Sequence, residues 1–148
     1  MLDIPSLLAR LHGHRDYFDA NIFICVLSHT AGFAAPSLVL LQACAACQIV
    51  GVTGDVTLAE LLVRPLQVSD AAAVAAVKEL LVDDGAVELV SHDRAAFERA
   101  AQHRARHGLK MVDALQLATA QLAGACCLIS NDRNFPQLPD IECLCLTG

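Results

Sequence analysis

The chain has 148 residues, 55% of them hydrophobic and 4% aromatic, and a formal net charge of −6. That is the length of one domain with enough apolar side chains for a proper core, which excludes a disordered chain. An acidic balance with Lys78 and Lys110 as the only lysines excludes broad electrostatic wrapping of nucleic acid. It leaves room for a nuclease whose metal ions carry positive charge into an acidic pocket.

Residues 1–14, "MLDIPSLLARLHGH", read as a helical lead-in ending at Gly13, and 15–148 as a single domain. A strand is expected over about 15–19, then a helical turn through Ile22–Leu27 and a loop at "SHTAGFAA". Pro36 suits the first turn of a helix running to about Cys47. "QIVGV" reads as a strand, and "TLAELLVR" as a helix stopped near Pro65. Ser69 opens the helix "DAAAVAAVKELLVDD", with Val74, Val77, Leu80 and Leu81 on one face and Gly85 at its end. "AVELVS" alternates as a strand does, and "DRAAFERAAQHRARHG" is a polar-faced helix closed by Gly108. "MVDALQLATAQLAG" is a helix closed by Gly124, with Leu115, Ala118 and Leu122 as its inward stripe. "ACCLIS" and "IECLCL" are the last two strands. Strands alternating with helices predict an α/β fold with a mostly parallel sheet covered on both faces.

Ala20 to Gly54 carries no Asp, Glu, Lys or Arg, but Pro36, Gln42, Gln48, Gly51 and Gly54 interrupt it. Its helical part is shorter than the roughly 20 residues a membrane span needs, so it reads as a buried helix followed by a strand. The N-terminus lacks a basic region followed by a small-residue cleavage site, and a cytoplasmic location is expected. Cys44 and Cys47 in "CAAC" have redox or zinc spacing, but in an apolar helical setting and without a second ligand pair on a turn. All seven cysteines read as small hydrophobic fillers in a reducing cytosol, with "CC" and "CLC" in buried strands. The histidines show no ordered ligand spacing beyond "HGH" in the lead-in, which reads as surface.

The acids carry the functional signal. In a parallel sheet, ligands bind beyond the C-terminal ends of the strands, at a topological switch point. Asp19 ends the first strand among apolar neighbours, and Asp132 leaves the strand "CLIS" in the same way. Asp113 lies in the first turn of its helix, where the dipole favours an anion, and Glu60 in the first turn of "TLAELL". Taken singly, each has a plain alternative. "TLAE" is equally a capping box from Thr57 to Glu60, Asp113 a dipole-favoured surface acid, and Asp132 a turn former beside Asn131. Asp19 is the hardest to dismiss, because a buried carboxylate needs a partner.

"FDANIFI", "TLAELL", "VDALQLATA" and "ISNDRNF" followed by "LPDIECLCL" resemble, in order and spacing, the PIN-domain family over about residues 16–146. Within it the chain is most similar to the VapC-type ribonuclease toxins. The resemblance implies a three-layer α/β/α fold and a metal-dependent endoribonuclease. It carries the family's acidic positions onto Asp19, Glu60, Asp113 and Asp132, with Asn21, Asn131 and Ser130 as polar supports. It also implies a homodimer and a small antitoxin covering the site. Where the family commonly has Thr or Ser, this chain has Ala20, which puts a supporting contact in question. Where the family favours Thr, Ser130 keeps the hydroxyl.

An all-oxygen ligand set suits Mg²⁺ or Mn²⁺. Asp19, Asp113 and Asp132 are the expected ligands, with Glu60 completing the pocket. Arg133 is the expected phosphate contact for an RNA substrate. Arg94, Arg99, Arg104, Arg106 and Lys110 form either a basic rim or a solvated helix face. Two other readings stay open at this point: a PIN-fold module that binds RNA or protein without cutting, and a phosphatase forming an aspartyl-phosphate. Asn21 stands where the phosphatases have a second acid.

Overall fold

The computed structural model describes residues 3–146. In chain order the elements are α1 (Ile4–Leu11), β1 (Arg15–Phe18), α2 (Ala20–Leu27), α3 (Ala34–Ala45), β2 (Val50–Gly54), α4 (Asp55–Gln67) and α5 (Ala71–Lys78). After a π-helical turn, Glu79–Asp83, come β3 (Val87–Val90), α6 (Arg94–His107), α7 (Met111–Leu122), β4 (Cys127–Ser130) and β5 (Glu142–Cys145).

The five strands form one sheet in the order β3-β2-β1-β4-β5, and every neighbouring pair is parallel. The chain winds outward from β1 to β3, then returns to lay β4 on the other side of β1. The switch point therefore falls between β1 and β4, and Asp19 and Asp132 leave the sheet on either side of it.

Side chains alternate across the strands and divide the core in two. Phe18, Cys127 and Ile129 face Leu7 and Leu11 of α1, Ile22 and Phe23 of α2, and Leu40 and Cys44 of α3. Tyr17, Val52 and Leu128 face Ala96 and Ala100 of α6 and the buried run Ala114–Ala120 of α7. Helices on both faces of a parallel sheet make the three layers that the alternating pattern implies. Among the described residues no helix is long and apolar enough to cross a membrane.

Several local expectations are corrected. Helix α4 begins at Asp55, with Gly54 as an N-cap that makes no side-chain bond. Thr57 is therefore inside the helix, buried and bonded to Thr53 and Gln116, so "TLAE" is not a capping box. Glu60 lies one turn further in than expected, beyond the first turn. The helix also continues past Pro65, because only one ladder bond is lost so near its end. Asp70, not Ser69, caps α5 by accepting from the Ala73 N–H, while Ser69 adopts a left-handed φ of 53°. Leu122 points outward from the last turn of α7. Cys47 and Cys126 are exposed and Cys143 and Cys145 half-buried, the latter two because β5 is an edge strand.

Candidate active site

Asp19 follows β1 directly and caps α2, its Oδ1 accepting from the Ala20 N–H at 2.8 Å. Its own N–H donates to the Ile129 carbonyl at 3.0 Å, which locks the end of β1 to β4. The residue is only 5% exposed. Burial pushes the carboxyl up to about 6, against the hydrogen bonds from Ser130 and Ala20, and the charges of Asp113 and Asp132 push the same way as burial. Helix α2 starts here because an extended aspartate followed by an apolar run is a strong N-terminal signal.

Ser130 organises the polar contacts around this carboxylate. Its hydroxyl donates to Asp19 Oδ2 at 2.8 Å. The same oxygen accepts from Asn21 Nδ2 at 3.0 Å and from the Asp132 N–H at 2.9 Å. Asn21 Oδ1 in turn accepts from the Asn131 N–H at 3.1 Å. Because both lone pairs of the hydroxyl are engaged, its single hydrogen is committed to Asp19. Asp132 Oδ1 accepts from the Asn134 N–H at 2.9 Å, which fixes the turn after β4. Ala20 thus costs the site little, since its backbone N–H and the Ser130 hydroxyl hold Asp19 from two sides.

Asp113 sits half-buried in the first turn of α7. Its carboxyl is raised by burial first, then by the charges of Asp132 and Glu60, while Lys110 opposes the rise. The four acids therefore share one electrostatic neighbourhood at the C-terminal end of the sheet. Glu60 is exposed on α4, and Arg133 is exposed on the turn beside Asp132. Lys110, at the N-cap of α7, is the cation of the basic set that acts on Asp113. Arg94, Arg99, Arg104 and Arg106 run along α6, where Arg104 Nε donates to the Leu109 carbonyl at 3.2 Å.

A second set of positioning residues has no motif of its own in the sequence. The Tyr17 hydroxyl donates to Gln116 Oε1. Gln116 Nε2 donates to Thr57 Oγ1 at 2.9 Å, and Thr57 meets Thr53 Oγ1 at 2.8 Å. Thr53 donates to the Phe18 carbonyl, one residue before Asp19, at 2.8 Å. This buried chain links α7, α4, β2 and β1, the elements that carry Asp113, Glu60 and Asp19. Satisfied polar networks of this kind fix one packing arrangement of the elements they join. An alternation from apolar to buried Thr and Gln on strand and helix is the signal that would have found it.

The donor set fits a hard divalent cation, since it offers carboxylate oxygens in a field whose excess is negative. Among the described residues, the one group of three ionisable donors lying within 4.8 Å of one another is His14, Asp16 and Cys127. It lies at the opposite, N-terminal end of the sheet. No three of the four acids fall within that distance of one another.

The PIN domain family model matches residues 17–141. Solved structures similar to this chain include a toxin–antitoxin complex from Klebsiella pneumoniae, at 22% identity, covering 85% of this chain and 94% of that one with a TM-score of 0.65. The Mycobacterium tuberculosis VapC20 toxin, described as cleaving the sarcin–ricin loop, is 16% identical and covers 76% and 86% with a TM-score of 0.62. VapBC2 of Rickettsia felis, bound to a promoter DNA fragment, is 15% identical and covers 89% and 98% with a TM-score of 0.61. No curated protein sequence matches. With the acids gathered at the β1/β4 switch point and a family match over most of its length, the chain belongs to the PIN domain family.

Proposed function

We propose that this protein is a metal-dependent endoribonuclease and the toxin of a toxin–antitoxin pair. The observation that carries the reading is the convergence of Asp19, Asp113, Asp132 and Glu60 on one end of the sheet, where burial and mutual repulsion raise Asp19 and Asp113. A pure binding module has no use for that repulsion. The similar structures support the toxin role, since VapC20 is described as a toxin that cleaves the sarcin–ricin loop and others are toxin–antitoxin structures.

Asp19, Asp113 and Asp132 hold Mg²⁺ or Mn²⁺, directly or through water. When bound, the ion lowers the pKa of a water and neutralises charge on the phosphodiester. Ser130, with its hydrogen committed to Asp19, keeps that carboxylate oriented and ionised. Glu60, free at the mouth of the site, orients the attacking water. Arg133 and Lys110 bind the phosphates on either side and place a single-stranded or looped RNA over the acids. In this reading the protein works in the cytoplasm, where its seven cysteines, all free, stay reduced. It forms a homodimer, and a small antitoxin covers the site.

The test is incubation of antitoxin-free protein with a mixed pool of structured and single-stranded RNAs under Mg²⁺, Mn²⁺ or EDTA. Cutting that needs the metal is the expected result. Folded protein that cuts nothing under any condition would transfer the reading to a binding module.

A further inference from the structure

At the end of the sheet opposite the acids, the parallel register builds a second cluster. Asp16 on β1 is paired with Cys127 on β4 and with Gly51 on β2, so their side-chain directions share one face. His14, two residues before Asp16, points to the same face. Asp16 is fully buried, and among the described residues no group meets either of its carboxylate oxygens in full hydrogen-bond geometry, although the Cys127 thiol and N–H and the His14 ring lie near enough to favour its charge. The Nδ1 of His14 is likewise buried and unpartnered. One donor atom from each of His14, Asp16 and Cys127 lies within 4.8 Å of the other two.

A buried carboxylate is costly unless its charge is compensated, and at this end of β1 only His14 and Cys127 are near enough to do so. We infer that His14, Asp16 and Cys127 form a binding site for a borderline-soft divalent metal, Zn²⁺ foremost, separate from the acidic site. The donor types select it: imidazole nitrogen and thiolate sulfur favour Zn²⁺ over Mg²⁺. Tetrahedral ligands around zinc stand about 3.3–3.8 Å apart, given bonds of about 2.0–2.3 Å, so the cluster needs to contract by only about 1 Å. Cys44, whose thiol is also pushed up by the Asp16 charge after burial, is the nearby fourth donor. Its Sγ hangs over Gly51, 2.6 Å from where a Cβ there would lie, and the bare glycine gives it room next to Asp16.

Metal binding deprotonates the Cys127 thiol, and the proton leaves to solvent while the sulfur takes the metal bond. Burial otherwise holds that thiol up at about 12, with the Asp16 and Glu142 charges adding to it and Arg10 opposing them, and its Sγ faces Glu142 Oε2 at 4.0 Å. The bound ion ties the start of β1 to the start of β4, the two strands that carry Asp19 and Ser130 at their other ends. Its role is structural, since it lies a strand's length from the acids.

The experiment titrates tag-free, full-length, reduced protein with Co²⁺, then displaces it with Zn²⁺, and follows the thiolate-to-cobalt charge-transfer absorption. The absorption should saturate at one thiolate-bound Co²⁺ per chain and be displaced by one Zn²⁺, whereas Co²⁺ held by the carboxylates of the acidic site adds no thiolate band. Cys127→Ser abolishes the absorption, and His14→Ala raises the Co²⁺ concentration needed to reach half of it by at least about tenfold. His14 is half-exposed, so its variant keeps the test open if Cys127→Ser does not fold. Wild-type protein without a thiolate absorption overturns the proposal. So does an absorption that survives Cys127→Ser, or one whose Co²⁺ dependence is indifferent to His14.

Discussion

Removing the Ser130 hydroxyl tests the polar framework of the acidic site. In Ser130→Ala the Asp19 carboxylate loses a donor at 2.8 Å, and Asn21 Nδ2 and the Asp132 N–H lose their shared acceptor. A hydrogen bond to a charged group contributes about 1.5–3 kcal/mol. The two orphaned donors are half-buried and recover part of their loss from water, so the total stays near the upper end of that range. For a domain of this size that corresponds to a fall in Tm of roughly 5–10 °C. Burial already raises Asp19, and losing the Ser130 hydrogen bond raises it further. Binding of Mn²⁺ should then weaken by about 10–100-fold, as it does when a group supporting a metal ligand is removed. Thermal unfolding and calorimetric titration with Mn²⁺ read the two effects, and Ser130→Thr, which keeps the hydroxyl, should recover most of both. A Ser130→Ala protein with unchanged Tm and unchanged Mn²⁺ affinity would refute the reasoning.

Asp19 and Asp16 both rise to about 6 in the fold, chiefly through burial. Such groups bind protons more tightly folded than unfolded, so the stability they give is full below about pH 4 and is lost as pH climbs through about 6. Metal-free protein should therefore be more stable at about pH 5.5 than at about pH 7.5, by roughly 1 kcal/mol per group, and denaturant unfolding that shows the opposite slope would count against it. Asp19→Asn cannot collect that whole gain at neutral pH, because its amide presents N–H either to the Ser130 hydrogen or to the Ala20 N–H; unfolding of the metal-free variant should differ from its parent by less than about 1 kcal/mol. A methyl at Gly54 would lie 2.2 Å from His92 Cε1 and 2.5 Å from the Tyr17 hydroxyl, so Gly54→Ala should destabilise by about 1–3 kcal/mol. An unchanged unfolding midpoint would contradict that crowding.

Much of the fold was legible because local chemistry and tertiary structure agreed. Gly108 and Gly124 do adopt left-handed φ just beyond α6 and α7, and Asp19 ends β1 as its apolar flanks suggested. The start of α4 was not legible. A Thr followed three residues later by Glu looks identical whether Thr57 caps a helix or, as here, turns inward to Thr53 and Gln116. Leu122 continues a stripe by spacing but falls at a helix end, where 45% of it stays exposed. In "RDYF" Asp16 carries no signal of its own, since a charge near the start of a strand looks the same whether it faces solvent or the core. Only the pairing with Cys127, 111 residues along the chain by its register, reveals it as buried. The same holds for the hydroxyl network, whose members come together solely through the sheet order.

The most direct measurement compares RNA cleavage by the wild-type protein and Asp113→Asn, both shown to be folded, across a Mn²⁺ titration. Asp113 is half-buried at the head of α7 and shares its field with Asp132 and Glu60. The account predicts metal-dependent cutting by the wild type and a loss of at least about 100-fold in the variant, the scale of a lost charge-stabilising group. Cleavage by Asp113→Asn within a few-fold of wild type, or wild-type cleavage that persists in EDTA, would contradict it.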